Sequence, residues 1–264
     1  MIDKNQLMAD LNQVREKSPL VHNITNYVAM NNTANALLAI GASPVMAHSV
    51  NEVEEMVAIA SSLVINIGTL SDDWVKAMLL AGKAATKKGI PVILDPVGAG
   101  ATTYRTKTCL LIIEECKLSV IRGNASEIMA LVNSQSQIKG VDSIASSDSA
   151  VDEAKSLAKK TGAVVVISGP TDYITDGDRI AEVKNGSIMM TRVTGLGCTA
   201  TAIIGAFAAV NSNFFEAATH AMAIMGIAGE LAAAKSEGTG TMQLFFLDEL
   251  YKISYKEILE HLKA

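Results

Sequence analysis

Cysteine is the first scarcity in this chain. Only Cys109, Cys116 and Cys198 occur in 264 residues, an odd set with neither metal-ligand nor redox-pair spacing, so a disulfide scaffold is excluded. Basic residues are outnumbered, 22 Lys and Arg against 27 Asp and Glu for a net charge of −5, and no basic cluster offers the surface that a nucleic-acid backbone requires. Small molecules are the expected partners. No apolar run reaches the roughly 20 residues that cross a bilayer without a Gly, Pro or polar interruption; the most apolar stretch, Thr199 to Val210, is too short. The opening MIDKNQLMADLNQVREK lacks the apolar core of a signal sequence. A reduced, cytoplasmic protein is therefore expected, with no membrane partner. Two nucleotide motifs are missing as well. No GxxxxGK followed by Ser or Thr exists, which excludes a P-loop, and the GAG at Gly98 to Gly100 is not a dinucleotide fingerprint because Thr103 holds its last glycine position.

What is present is apolar substance: 49% hydrophobic and 19% charged residues, enough for a large core in one α/β domain or two small ones, with no linker marked. The stretch VTGLGCTAT, Val193 to Thr201, organises the rest. Gly195 and Gly197 bracket Leu196, Cys198 follows, and Thr199 to Val210 suits a buried helix. A glycine turn feeding a helix N-terminus offers free N–H groups and the positive end of the dipole, hence an anion site. Such turns are common, and read alone this one is more often a tight connection.

Leu7, Leu11 and Val14 recur at helical spacing, and Ser18-Pro19 ends that first helix. Leu20 to Ile24 reads as a strand, Asn26 as the cap of a helix Tyr27 to Ile40 stopped by Gly41, and Ser43 to Met46 as the next strand. The asparagines from Asn23 to Asn35 are dense for a helix and point to a pocket or a subunit contact, or to ordinary capping. Ser49 with Glu52 predicts a capping box for a helix Glu52 to Ala60. SLVINIG is a continuous apolar run, as in a parallel strand covered on both faces, with Gly68-Thr69 just beyond it. Ser71 opens a helix that turns Trp74, Met78 and Leu79 inward and stops at Gly89; Pro91 to Leu94 is a strand leading to Asp95.

This alternation predicts a mostly parallel sheet with helices on both faces and ligands beyond the carboxyl ends of the strands. Asp95 then lies at the site's edge, available to metal or phosphate. Thr106 to Cys116 reads as a helix with Cys109 and Cys116 as small apolar residues. The strand Leu118 to Ile121 exits into Arg122, Asn124 and Glu127 at the start of a helix Ser126 to Val132. Arg122 is suited to phosphate, and Glu127 to a magnesium ion through its water shell, although a capping Asn with a dipole-favoured Glu explains two of the three. A polar surface loop is expected from Asn133 to Ser149, then a helix Ala150 to Thr161 and a strand Ala163 to Ile167 ending in Ser168-Gly169-Pro170. Asp-Gly and Asn-Gly between short β-prone runs predict hairpins before VTGLGC. Two helices close the chain, Asn213 to Ala234 and Met242 to Leu262, and His22, His48, His220 and His261 share no spacing and read as structural.

Asp95, Arg122, Glu127, Ser168 and the Gly195–Cys198 turn all fall at strand ends, the equipment of phosphoryl transfer without a Walker motif. The last turn resembles that of ribokinase-type kinases, with Cys198 where most relatives have Asp. With VHNITNYVAMNNTANALLAIGASPVM, VILDPVGAGAT and IRGNASE, the whole chain resembles the hydroxyethylthiazole kinase family. The resemblance implies a single three-layer α/β/α domain over residues 1–264. It implies ATP-dependent phosphorylation of 4-methyl-5-(2-hydroxyethyl)thiazole in thiamine salvage, with Mg²⁺, in a homotrimer whose active sites lie between subunits. Met46 and Gly195 correspond to thiazole contacts, joined by Asn26, Gly68 and Thr69. Arg122 and Ser168 correspond to nucleotide contacts, joined by Asn124 and Thr194, and Asp95 and Glu127 to the acidic residues near magnesium. Gly197 and Cys198 take the catalytic positions. A helix N-terminus lowers a thiol's pKa, so Cys198 is expected as a partial thiolate able to serve as base. Rivals of the same fold are a hydroxymethylpyrimidine kinase and a dehydratase of damaged nicotinamide cofactors; a rival of another class is a thiazole binder without catalysis.

Overall fold

The computed structural model describes residues 2–133 and 150–263. Helix α1 (Lys4–Lys17) starts at Asp3, whose carboxylate accepts from the N–H groups of Asn5 and Gln6, and it buries Leu7, Leu11 and Val14 as their spacing predicts. There follow β1 (Leu20–Ile24), α2 (Met30–Ile40), β2 (Ser43–Val45), α3 (Val53–Ile59), β3 (Ser62–Asn66), α4 (Asp72–Lys88), β4 (Val92–Asp95), α5 (Thr103–Glu115), β5 (Val120–Asn124) and α6 (Ala125–Asn133). The polar stretch expected as a loop lies, after Asn133, outside the described residues. The chain continues through α7 (Val151–Thr161), β6 (Val164–Ser168), β7 (Asp172–Thr175), β8 (Ile180–Val183), a 3₁₀ helix (Ile188–Arg192), α8 (Leu196–Ala208), α9 (Phe214–Lys235), α10 (Thr239–Lys252) and α11 (Tyr255–His261).

The strands form one sheet in the order β2-β1-β3-β4-β5-β6-β7-β8. The pairs from β2 to β6 are parallel and the last two antiparallel. Strand residues alternate between two apolar layers: Val64 and Ile93 face one, while Leu63, Ile65, Val92 and Leu94 face the other. The first layer packs α1, α2, α8, α9 and α10, the second α3 to α7. A sheet buried on both faces needs apolar residues at successive positions, and that is why the strand interiors LVI (63–65) and VIL (92–94) carry no polar interruption. The expected three-layer α/β/α arrangement is the one observed.

Several local expectations are corrected. Asn26 does not cap α2, which starts four residues later; its Oδ1 accepts from Ala29 N–H at 3.0 Å in the turn before the helix. Ser49 and Glu52 form no capping box, because α3 begins at Val53 and leaves both outside; Ser49 Oγ accepts from Asn51 N–H instead. Asn185-Gly186 makes no hairpin and leads into the 3₁₀ helix, whereas Asp176-Gly177 does join β7 to β8. The last predicted helix is two. Ser254 and Glu257 form a real capping box, Glu257 accepting from Ser254 N–H at 3.0 Å, and this starts α11 afresh. Helix α9 is, by length and composition, long and apolar enough to cross a membrane, although Glu216, His220, Gly226, Gly229 and Glu230 interrupt it, and 78% of its apolar window is buried within the protein.

Candidate active site

Strand order reverses between β1 and β3, since β2 lies outside β1 on one side and all later strands on the other. A crevice opens at such a switch point beyond the strands' carboxyl ends. Into it come Asn26 after β1, Asn66 ending β3 and Gly68 just beyond it, Asp95 ending β4, and the first turns of α8. They are joined by hydrogen bonds. Asn26 Nδ2 donates to Asn66 Oδ1 at 2.9 Å and to Cys198 Sγ at 3.2 Å. Asn66 Nδ2 donates to Asp95 Oδ2 at 2.8 Å, and Gly68 N–H to Asn66 Oδ1 at 2.9 Å. Thr201 Oγ1, from within α8, donates to the same Asp95 Oδ2 at 2.8 Å.

The helix α8 begins at Leu196, not Thr199, with Gly195 as its N-cap at φ +83°, a left-handed conformation that favours glycine. Gly197 and Cys198 thus belong to the first helical turn, where backbone N–H groups have no intrahelical acceptor. A Cβ on Gly197 would lie 2.9 Å from Arg122 Nη1. Arg122, from β5, therefore crosses the mouth of the helix and donates through Nη2 to Ser168 Oγ at 2.7 Å, at the end of β6. Beyond this pair lies a cavity of about 480 Å³. Its lining includes the polar Arg122, Ser168 and Asp172 and the apolar Ile188, Met190, Leu196, Met222 and Met225. A larger cavity of about 570 Å³, between the start of α1, β8 and α9, is lined by none of the residues expected to act.

Charge in the crevice follows burial. The carboxyl of Asp95 is pushed up to about 6 by desolvation and by Glu127, against the pull of Arg122, Thr201 and Asn66. Burial likewise pushes Asp172 up to about 6, against Gly169 N–H and Arg122. The Cys198 thiol is raised by burial and by the Asp95 charge, with the Asn26 hydrogen bond opposing. This shift is opposite in sign to the expected one: burial beside the Asp95 carboxylate favours the neutral thiol over the expected partial thiolate. Glu127 accepts from Gly98 N–H at 2.9 Å through Oε1 and from Asn124 N–H at 2.9 Å through Oε2, while Asn124 Oδ1 accepts from Glu127 N–H at 2.9 Å. The reciprocal cap explains Asn124 and half of Glu127; the bond to Gly98 ties the Pro96–Gly100 turn to α6.

Residues 11–256 match the sequence profile of the hydroxyethylthiazole kinase family. A hydroxyethylthiazole kinase of Leptospira biflexa is 57% identical over 97% of this chain and 96% of its own. One from Syntrophus aciditrophicus is 56% identical over 97% and 95%. The chain belongs to the hydroxyethylthiazole kinase family. A solved hydroxyethylthiazole kinase from Pyrococcus horikoshii superposes with a TM-score of 0.92 at 41% identity, covering 98% of both chains. Pyridoxal kinase of Bacillus subtilis, solved with ADP, shares the fold at a TM-score of 0.60 and 18% identity, covering 77% of this chain and 88% of that one.

The positions taken from the hydroxyethylthiazole kinase resemblance fall into three groups. Asn26, Gly68, Asp95 and Cys198 share one hydrogen-bonded chain; Arg122, Ser168 and Gly197 meet beside it. Met46, just after β2, and Thr69 lie half-buried outside that chain, and Thr194 is exposed, its carbonyl accepting from Asn32 Nδ2 at 3.4 Å. Four participants were missed. Asn66 closes the apolar strand VIN, and the rule that pointed to Asp95 points equally to it. Asp172 opens β7 beside Gly169. Thr201 sits inside a buried helix, and Arg105 donates to the carbonyls of Ile67, Val97 and Gly68 at 2.7 to 2.9 Å from α5; no sequence signal marks either.

Proposed function

We propose that this protein, acting as one catalytic domain, transfers the γ-phosphoryl group of ATP to the hydroxyl of 4-methyl-5-(2-hydroxyethyl)thiazole, in thiamine biosynthesis or salvage. The observation that carries the reading is the meeting of two unlike regions at the first turn of α8. One is a polar chain from Asn26 to Asp95, and the other a cavity lined by the Arg122 guanidinium and by Met190, Met222 and Met225. The cavity suits a nucleotide: phosphates toward Arg122, Ser168 and the α8 N–H groups, the base against the polarizable sulfurs of Met190, Met222 and Met225. The thiazole then lies on the other side of Gly195, toward Asn26, Met46 and Gly68-Thr69, with Asn124 and Thr194 at the nucleotide's margin.

In this arrangement the hydroxyl oxygen forms a bond to the γ-phosphorus in line with the bond that breaks, that between the γ-phosphorus and the β,γ-bridging oxygen. ADP leaves with that bond's electron pair. The first-turn N–H groups of α8 and the Arg122 guanidinium face the equatorial oxygens, where charge accumulates. Cys198 stands at the base position as a protonated thiol at neutral pH. Because the transition state is loose, the hydroxyl proton departs late and passes to an oxygen of the transferred phosphoryl group or to water; the protonated Cys198 thiol is not needed to take it, and placement carries most of the rate. A divalent cation such as Mg²⁺, when bound, supplies neutralisation of the phosphate charge. Among the described residues no group of three or more His, Cys, Asp or Glu could cage a metal. One buried carboxylate with a free oxygen is nonetheless what a phosphate-bound, largely hydrated Mg²⁺ requires, and Asp95 Oδ1 has no hydrogen-bond partner among the described residues. Asp95 would hold the ion, with Glu127 ordering the turn beside it.

The proposal extends to a homotrimer with sites between subunits, supported by Tyr27 and Val28, exposed by 63% and 64% directly after Asn26. The reduced cytoplasm is the proposed compartment, consistent with three free thiols. The test is ADP release from Mg-ATP with hydroxyethylthiazole as sole acceptor, the product identified by mass. Phosphorylated thiazole in step with ADP is expected; folded protein giving none would overturn the reading, and product from hydroxymethylpyrimidine instead would replace the acceptor.

A further inference from the structure

Asp95 is held asymmetrically. Its Oδ2 accepts two hydrogen bonds, from Asn66 Nδ2 and Thr201 Oγ1, both at 2.8 Å, whereas its Oδ1, although buried, has no partner among the described residues. Thr201 is itself wholly buried. Its hydroxyl carries one proton, and with Gly197 O at 3.3 Å and the carboxylate at 2.8 Å, the charged, nearer acceptor takes it. The two donors belong to different elements, Asn66 to the sheet and Thr201 to α8 one turn beyond Gly197 and Cys198. The carboxylate is thereby fixed relative to both the strand ends and the first-turn N–H groups of the helix.

We propose that Thr201 is a positioning residue, whose hydroxyl ties Asp95 Oδ2 to α8 so that Oδ1 is presented to the metal–nucleotide complex in register with the anion-binding turn. Thr201 touches neither substrate nor metal and acts through Asp95. The inference rests on the functional reading above for the identity of the complex, and on the hydrogen bonds alone for the tie. Second partners of this kind commonly alter metal affinity or turnover when removed, because the ligand's free oxygen loses its fixed direction.

The test compares Thr201→Val, which keeps the branched shape and loses the donor, with Thr201→Ser, which keeps the donor and loses the methyl. Two readouts are taken: steady-state kinetics, and Mn²⁺ binding by electron paramagnetic resonance with a non-hydrolysable ATP analogue present. In Thr201→Val, kcat is expected to fall by about tenfold to a hundredfold and Mn²⁺ to bind about tenfold more weakly, with the KM for hydroxyethylthiazole changed by less than about twofold. Thr201→Ser is expected to recover both within about threefold. Equal damage in the two variants, or a folded Thr201→Val with unaltered Mn²⁺ binding, would overturn the proposal in favour of simple packing. Should the wild type phosphorylate no thiazole, the functional reading fails, while the Mn²⁺ comparison still decides whether Thr201 positions Asp95.

Discussion

The two sides of the α8 N-terminus are built by different means. On the acceptor side, Asn26, Asn66, Asp95 and Thr201 are nearly closed to solvent and bonded to one another. On the side proposed for the nucleotide, Arg122 makes one side-chain hydrogen bond among the described residues, to Ser168, and its buried Nε has no partner there; the rest is a cavity whose lining includes Ile188, Met190, Leu196, Met222 and Met225. Preorganised polar groups serve where charge develops in the transition state, and an apolar wall with a few fixed polar groups serves to hold a ligand. On the proposed function, the difference fits transfer geometry on one side and ligand capture on the other.

Breaking the meeting point of the two should have the largest effect. Gly197→Val places a branched side chain where even a Cβ would be 2.9 Å from Arg122 Nη1, closing the turn to phosphate. Turnover in the ADP-release assay should drop at least a hundredfold, comparable with loss of an oxyanion donor. A folded Gly197→Val with ordinary activity would remove α8 from the phosphate site.

Cys198→Asp sharpens the comparison by placing a true base on the acceptor side, within reach of the Asn26 amide that now donates to sulfur. Turnover should be retained or rise by up to about tenfold, the gain limited because placement dominates the barrier. Activity lost in a folded variant would mean that the thiol has a role a carboxylate cannot take.

The smallest effect is on stability, from the nucleotide side. Asp172 is buried, and its carboxyl is raised from 3.8 to about 6. The folded state therefore binds more protons than the unfolded state between these values, and stability falls as pH rises through that window. Asp172→Asn, whose Oδ1 can still accept from Gly169 N–H, lacks this loss. Thermal melts should show the variant gaining on the wild type from pH 4 to 6 and a constant gap above; parallel melts across the window would show that the carboxylate is solvated.

Much of the frame was readable from sequence because its causes are local. Apolar runs such as SLVIN declare a doubly covered strand, and Gly89 and Ser71 mark the ends of α4 through φ and capping. The strand-end rule placed Asp95 and Ser168 correctly, at the last positions of β4 and β6, whereas Arg122, expected just past its strand, lies within β5 because that strand runs on to Asn124. What escaped depends on contacts distant in sequence. Thr199 and Thr201 are both buried threonines in a small and apolar helix, and what separates Thr201 is its bond to Asp95, 106 residues away. The sign of the Cys198 shift was misjudged because a helix terminus is visible in sequence and burial beside a carboxylate is not. The break before α11 was legible and overlooked, since Ser254 and Glu257 stand at capping-box spacing.

The raised thiol at Cys198 has a chemical corollary. Oxidants and alkylating agents react with thiolates, and all three cysteines are held in the opposite form: burial raises Cys109, and it pushes Cys116 up to about 11. A sulfur at the helix tip is thus compatible with long service among peroxides and electrophiles, and iodoacetamide should modify the native protein far more slowly than the unfolded chain.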